Sequence, residues 1–314
     1  MNPDMRLKEK VRHGTARHPI SGMRFTLEPE KSHPQHFFVE RHWHPQIEIL
    51  YFIKGTFDVE INFETTVFHE GELCILNSED LHQITGKEPH TAHEALVFDP
   101  DILTFSYMDE LEEDCIQPLV NRIVLLPHRI SRSQEIYSRL LPHIRELMDT
   151  AIQKEPGWYV RSKLSLLLLL SLLWESGLFQ PAEEDRSSSY MRKVHHYKTV
   201  VSYMEQNFSK HISLQELADT IPCNSQYLCR FFKEVSGNTP IQYLTTLRIK
   251  NACFLLTHTS RTILEIALEC GFENISYFIR TFKSAIGCTP GEYRRKDTHS
   301  GIFDLVVDKS LKID

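Results

Sequence analysis

RFFKEVSGNTPIQY, residues 230–243, returns as RTFKSAIGCTPGEY at residues 280–293. Arg230, Phe232, Lys233, Gly237, Thr239, Pro240 and Tyr243 each recur fifty positions later, as Arg280, Phe282, Lys283, Gly287, Thr289, Pro290 and Tyr293. Identity at so many fixed places marks one supersecondary unit used twice. Each copy opens on a capping box, Ser213-x-x-Glu216 and Thr262-x-x-Glu265, in which hydroxyl and carboxylate satisfy the free amides of a helix start. In the first copy Leu214, Leu217 and Ala218 form an apolar stripe. Ile221-Pro222-Cys223 breaks the helix, and a second helix from about Ser225 turns Leu228, Phe231, Phe232 and Val235 inward. The second copy repeats this with Ile263, Ile266 and Ala267, then Cys270-Gly271-Phe272, then Phe278, Phe282 and Ala285. Short helix, tight turn and longer helix is the helix-turn-helix plan.

A helix from Ile241 to about Leu256 joins the units, and such a pair can address successive major grooves about 34 Å apart. On the first recognition helix Ser225, Gln226, Cys229 and Arg230 face away from the apolar stripe; on the second Asn274, Ser276, Tyr277, Ile279, Arg280 and Lys283 do. Arg pairs bidentately with guanine, and Gln or Asn with adenine. Lys233 and Lys283 lie deeper along their helices, where phosphates are the expected contact. Any helical bundle displays polar residues outward; the tandem repetition is what separates this pattern from an ordinary solvated face.

Charge supports the same reading. The net charge of -7 conceals 14 Lys+Arg against 8 Asp+Glu in residues 190–296, and 19 against 30 in residues 1–189. A basic segment in an acidic chain is the electrostatic footprint of a polyanion binder. At 314 residues, 41% hydrophobic and 25% charged, the chain is an ordinary globular protein of two or three domains. Met1 to Lys10 lack an apolar core, so no secretory signal is read and the expected location is the cytoplasm. Leu164 to Trp174 is about half the ~20 residues needed to cross a bilayer, so no membrane association is expected. Seven cysteines, with no C-x-x-C pair, read as reduced thiols.

The amino-terminal part is of another kind. From Met23 to about Asp99 the chain reads as short strands: Ile47 to Ile53 is apolar, Thr56 to Phe63 alternates, and Gly55, Asn77-Ser78 and Gly86 punctuate it. Helical periodicity follows from Ser133 to Gly177, with Pro142 expected to kink the first helix and Pro156-Gly157 separating it from the second. QPAEEDRSSS, residues 180–189, reads as a linker. The domains are therefore set at 1–130, a β-barrel; 131–178, a helical segment; 179–194, a linker; 195–296, the helix-turn-helix pair; and 297–314, a tail without assigned role.

Within the β part, His42-Trp43-His44-x-x-x-Glu48, with His82 on a later strand, forms the second constellation. Residues two apart share a strand face, so His42 and His44 can reach one ion, and Glu48 and His82 complete a mixed N/O set suited to Zn, Ni, Mn or Fe. Three roles are open to this set: holding such a divalent metal, lining the pocket of a small organic effector, or packing as neutral core histidines. Trp43, Tyr51, Phe52 and Phe57 suit either stacking on a sugar ring or plain core packing. His33, His36, His90 and His93 lack comparable spacing and are read as surface or loop residues.

Residues 195–295 resemble the DNA-binding domain of the AraC-type (AraC/XylS) transcription regulators. The resemblance runs through Ile266-Ala267, Cys270-Gly271-Phe272, Ser276-Tyr277-Phe278, Arg280, Phe282-Lys283, Gly287, Thr289-Pro290 and Tyr293-Arg294. It implies that the first recognition helix is the more base-specific, contributing Gln226, Cys229 and Arg230, while the second contributes Ser276 and Arg280. Cys229 departs from the usual chemistry as a poor hydrogen-bond donor. The histidine motif, with Gly55, resembles the first motif of cupin barrels. Gly71 and His82 fit the second motif, whereas Asn77 and Glu79 stand where proline and glycine are usual and Gly86 replaces the final asparagine.

The fold class expected is thus multi-domain α+β: an all-β cupin-like barrel with a helical dimerisation segment, then an all-α domain with two helix-turn-helix units. The resemblance implies a homodimer formed through the paired helices, a small-molecule effector such as a sugar in the barrel, double-stranded DNA as partner, and activation through contact with RNA polymerase. No cofactor is required on this reading. Two rivals are a metal-dependent cupin enzyme fused to a DNA-binding domain, and a nonspecific architectural DNA binder.

Overall fold

The computed structural model describes residues 15, 17–27, 37–182 and 189–297. His33, His36 and the tail beyond 297 lie outside the described residues. The chain divides between Met191 and Arg192 into two compact units.

Two antiparallel sheets form the first unit. Strands β1 (Ile20–Leu27), β2 (Phe38–His42), β3 (Ile47–Lys54), β4 (Phe57–Ile61), β5 (Glu64–Phe68), β6 (Leu73–Leu76), β7 (His82–Gly86), β8 (Thr91–Phe98), β9 (Val124–Leu125), β10 (Arg129–Ile130) and β11 (Gln180–Pro181) follow in order. One sheet runs β1-β8-β3-β6-β10, the other β2-β7-β4-β5, and β9 pairs with β11. Gln180 and Pro181 therefore belong to a ladder of this unit, although the composition around them reads as linker.

The unbroken apolar run of β3 has a direct cause: both faces of its sheet are covered. Ile47, Ile49 and Tyr51 join a cluster with residues of helices α2 (Tyr137–Gln153) and α3 (Trp158–Glu175), among them Leu140, Ile144, Leu147, Leu166, Leu169 and Leu170. Leu50 and Phe52 face the second sheet, against Phe57, Val59, Ile61, Phe68 and Ile84. A short helix, α1 (Gln117–Val120), precedes this pair. Helix α2 continues through Pro142 without a break. Gly157, in the left-handed conformation, turns the chain from α2 into α3.

Among the described residues, helices alone build the second unit: α4 (Ser189–Asn207), α5 (Leu214–Asp219), α6 (Ser225–Ser236), α7 (Pro240–His258), α8 (Ile263–Glu269), α9 (Ile275–Ile286) and α10 (Pro290–Asp297). Both expected capping boxes form, and Thr239 with Gln242 makes another at α7. Thr289 and Glu292 exchange the equivalent bonds at α10. Asn224 and Asn274 cap α6 and α9, each accepting from the backbone N–H of the tyrosine three residues on. Such caps contribute about 1 kcal/mol each.

Helix α7 is common to both repeats and packs against α5, α6, α8 and α9. From α7, Arg248 donates to the carbonyls of Phe208 and Lys210, just past the end of α4. From α10, Arg294 donates to the carbonyls of Leu256, in the last turn of α7, and Arg261 beyond it. A guanidinium from the helix after each helix-turn-helix thus satisfies carbonyls left open where the helix before it ends.

Candidate DNA-reading helices and effector site

Helices α6 and α9 bury one face and expose the other. Leu228, Phe231 and Phe232 are buried on α6, and Phe278, Thr281 and Phe282 on α9. Gln226, Arg230, Lys233, Ser276, Tyr277, Arg280 and Lys283 are exposed, whereas Ser225 and Cys229 are half-buried. Two side chains expected to face a ligand are engaged locally. Ser225 Oγ donates to Gln215 Oε1 at 2.8 Å, fastening α6 to α5, and the exposed Asn274 spends its Oδ1 on the α9 cap.

Each helix also carries an arginine lying over a tyrosine ring, Arg230 over Tyr227 at 5.9 Å and Arg280 over Tyr277 at 5.7 Å. The two pairs are related by the same fifty-residue offset. Tyr227, exposed and stacked on Phe231 at an interplanar angle of 7°, is a surface residue that the sequence reading passed over. Its match to Tyr277 was the available signal. Stacking restricts each guanidinium before any ligand arrives, which lowers the conformational entropy lost on binding.

In the first unit the histidines converge between the sheets. His42 on β2 stands opposite His82 on β7, beside a bulge, with rings 4.1 Å apart. His44, just after β2, lies 5.1 Å from the His82 ring, and one ligand nitrogen from each of the three falls within 4.8 Å of the others. Glu48 reaches them from β3 of the other sheet, on the face shared with Leu50 and Phe52; its Oε2 lies 3.3 Å from His44 Nε2 and 3.5 Å from His82 Nε2. His44, His82 and Glu48 are buried, and His42 is half-buried.

Main-chain carbonyls fix the tautomers. Nδ1 of His42, His44 and His82 contacts the carbonyl oxygens of Glu40, Gln46 and Asp80 at 2.8, 3.1 and 2.9 Å. A carbonyl only accepts, so Nδ1 carries a proton and Nε2 is the ring atom turned inward. His82 Nε2 is buried, and its polar neighbour is Glu48 Oε2 at 3.5 Å, longer than an ordinary hydrogen bond. Burial raises the Glu48 carboxyl, but hydrogen bonds and charge from His44 and His82 outweigh it and hold the group well below the usual carboxylate range. A carboxylate beside two inward imidazole nitrogens is satisfied by a proton or a cation shared between them. The donor set of imidazole nitrogens and one carboxylate oxygen fits a divalent transition metal.

The loop before His82 departs from the cupin pattern in residue type and keeps its shape: Glu79, where glycine is usual, has a φ of 65°. Asp80 beside it is buried and accepts from Asn62, from the Asn77 backbone and from His128 at 3.0 Å.

Of the two roles open to the aromatics the structure gives core packing, and one histidine is placed differently from its expectation. Phe52 and Phe57 are fully buried, 4.6 Å apart, and Trp43 is buried. Tyr51 points to the helices, where Arg145 donates to its hydroxyl, because β3 has two buried faces. His93 is no surface residue: on β8 it is 2% exposed, stacked on Phe25 at 5.0 Å with Phe37 edge-on at 4.5 Å. Burial lowers its pKa to about 4, against the pull of Glu48, so it is neutral at physiological pH. His90 is exposed, as expected.

A two-sheet ligand-binding domain followed by paired helix-turn-helix units defines an effector-linked, DNA-binding transcription regulator. The chain matches the AraC-like ligand binding domain over residues 28–172 and the helix-turn-helix domain over residues 217–296. It belongs to the AraC family. The uncharacterized HTH-type transcriptional regulator YdeC of Bacillus subtilis is 25% identical over 296 residues, covering 94% of this chain and 98% of that protein. The melibiose operon regulatory protein of Escherichia coli is 26% identical over 270 residues, covering 83% and 85%. The HTH-type transcriptional activator RhaS of Mannheimia succiniciproducens is 24% identical over 237 residues, covering 71% and 86%. Among the described residues no helix is long and apolar enough to cross a membrane.

Proposed function

We propose that the protein is a cytoplasmic, homodimeric activator that binds specific operators through α6 and α9, contacts RNA polymerase, and answers to a small effector held at His42, His44, Glu48 and His82. The recurrence of an outward arginine over a tyrosine on both recognition helices carries the DNA reading. Readout falls to Gln226, Cys229, Arg230, Ser276, Tyr277 and Arg280, with Ser225 and Asn274 acting through the helix starts they fasten and Lys233 and Lys283 on phosphates. Occupancy of the barrel site shifts the population competent to bind paired sites, a coupling of about 1–3 kcal/mol. A carbohydrate effector is supported by the relative named for the melibiose operon, and activation by the relative named an activator. The protein catalyses no turnover on this reading.

A divalent metal ion is the second ligand class, favoured by the convergence of one ring nitrogen each from His42, His44 and His82 within 4.8 Å of one another. His42, His44, His82 and Glu48 would hold it, supplying a charged anchor for the effector or serving as the effector itself.

Replacing Arg230 or Gln226 by alanine is expected to relax preference at single base pairs at about 1–3 kcal/mol each, whereas Lys283→Ala weakens all sequences alike and lowers the salt slope by about one. Binding titrations against single-base variants at several salt concentrations read both. Unchanged base preference in both alanine variants removes Arg230 and Gln226 from the readout.

The proposed dimer uses the outer side of α3, where Val160, Leu164 and Leu168 are 63%, 56% and 48% exposed at helical spacing. Aligned stripes on two copies bury each other's apolar surface, and pairing multiplies DNA affinity through effective concentration. Leu164→Glu is expected to turn the dimer into a monomer in analytical ultracentrifugation while leaving the fold intact. An unchanged sedimentation coefficient assigns the stripe another role.

A further inference from the structure

Setting the repeats side by side at their fifty-residue offset shows a chemical difference along one ridge of the recognition helices. Where α6 has the half-buried Ser225 and Cys229, α9 has Ile275 and Ile279, each 36% exposed. Four-residue spacing puts these isoleucines on one ridge, beside the ridge of Ser276, Arg280 and Lys283. Phe278, Thr281 and Phe282 fill the buried side of α9, and the isoleucine ridge keeps part of its aliphatic surface open beside polar and cationic neighbours. The major groove displays one apolar group, the C5 methyl of thymine, and aliphatic side chains are its partners.

We propose that Ile279 is a specificity-determining residue that reads a thymine methyl, so that the second unit selects its site by an apolar contact and the first by hydrogen bonds through Gln226 and Arg230. This rests on the proposed DNA reading. Ile279, midway between Ser276 and Lys283 along the helix, adjoins the residues assigned to bases and phosphate. Ile275, at the helix start, has the Asn274 cap beside it and is the secondary candidate.

The test begins by selecting a preferred site for the full-length protein from a randomised duplex pool. Each thymine of that site is then replaced singly by deoxyuridine, which removes only the methyl group. In the half covered by the second unit, one replacement is expected to weaken wild type about four-fold, the effect of one methyl-sized contact. Ile279→Ala is expected to show the same loss on the intact site and no further loss with deoxyuridine there. Ile279→Val, keeping the branched methyls, is expected to retain part of the discrimination and guards against a folding defect in the alanine variant. If wild type and Ile279→Ala respond alike at every thymine, the methyl contact is overturned while the DNA reading stands. Recovery of no preferred site overturns both.

Discussion

Gly271→Ala is expected to abolish DNA binding and to lower stability by about 3 kcal/mol or more, the largest effect of any small substitution in the helical unit. Gly271 sits in the turn between α8 and α9 with a φ of 80°. A Cβ there would lie 2.4 Å from the backbone oxygen of Phe208 and 3.0 Å from the guanidinium of Arg248. The first is main chain and cannot rotate away, and the second is the group that holds Phe208 and Lys210. Gly287→Ala supplies the control, because its φ of 83° is as unfavourable for alanine but no atom lies within 4 Å of the added carbon. It should cost only about 1 kcal/mol. Urea denaturation of both variants separates strain from collision: equal losses would show that the close approach at Phe208 does not matter.

His82→Ala is expected to weaken divalent-ion binding at least 100-fold, since removal of one imidazole leaves the set incomplete, and Glu48→Gln should act in the same direction. Cobalt(II) is the convenient probe, because its visible absorption reports the ligand field without reference to transcription. A ligand that binds only the folded state at 100 times its dissociation constant raises stability by about 2.7 kcal/mol, so thermal melts with and without cobalt give a second measure. His90→Ala, at an exposed position, should leave both signals unchanged. Absence of cobalt binding by the wild-type protein would withdraw the metal reading and leave the organic effector as sole occupant of the histidine cluster.

What could be read from the sequence was whatever local rules fix. The helix-turn-helix pair was visible because helix starts and stops demand particular residues: Thr-Pro at 239–240 and 289–290, glycine at 237 and 287, and the capping boxes. His42, His44 and Glu48 were legible as a group because they stand close together in the chain, although His44 falls just past β2 and Glu48 arrives from β3 of the other sheet. His93 was not, because the rings that bury it come from Phe25 on β1, Phe37 before β2 and Phe57 on β4, and no spacing along the chain records that meeting. The direction of Tyr51 was illegible for a related reason: with both faces of β3 covered, alternation between polar and apolar is lost and the direction of each side chain goes with it. The Arg248 and Arg294 contacts are equally silent in the sequence, since an arginine reaching a carbonyl some forty residues away in the chain looks like any surface arginine.

Because α7 belongs to both repeats, the angular phase between the two reading heads is set by the length of a single rod. Inserting or deleting one residue in its middle would turn α8 and α9 by about 100° and shift them by about 1.5 Å relative to α5 and α6. Base preference can therefore change one side chain at a time, while the spacing between the heads stays locked by the rod.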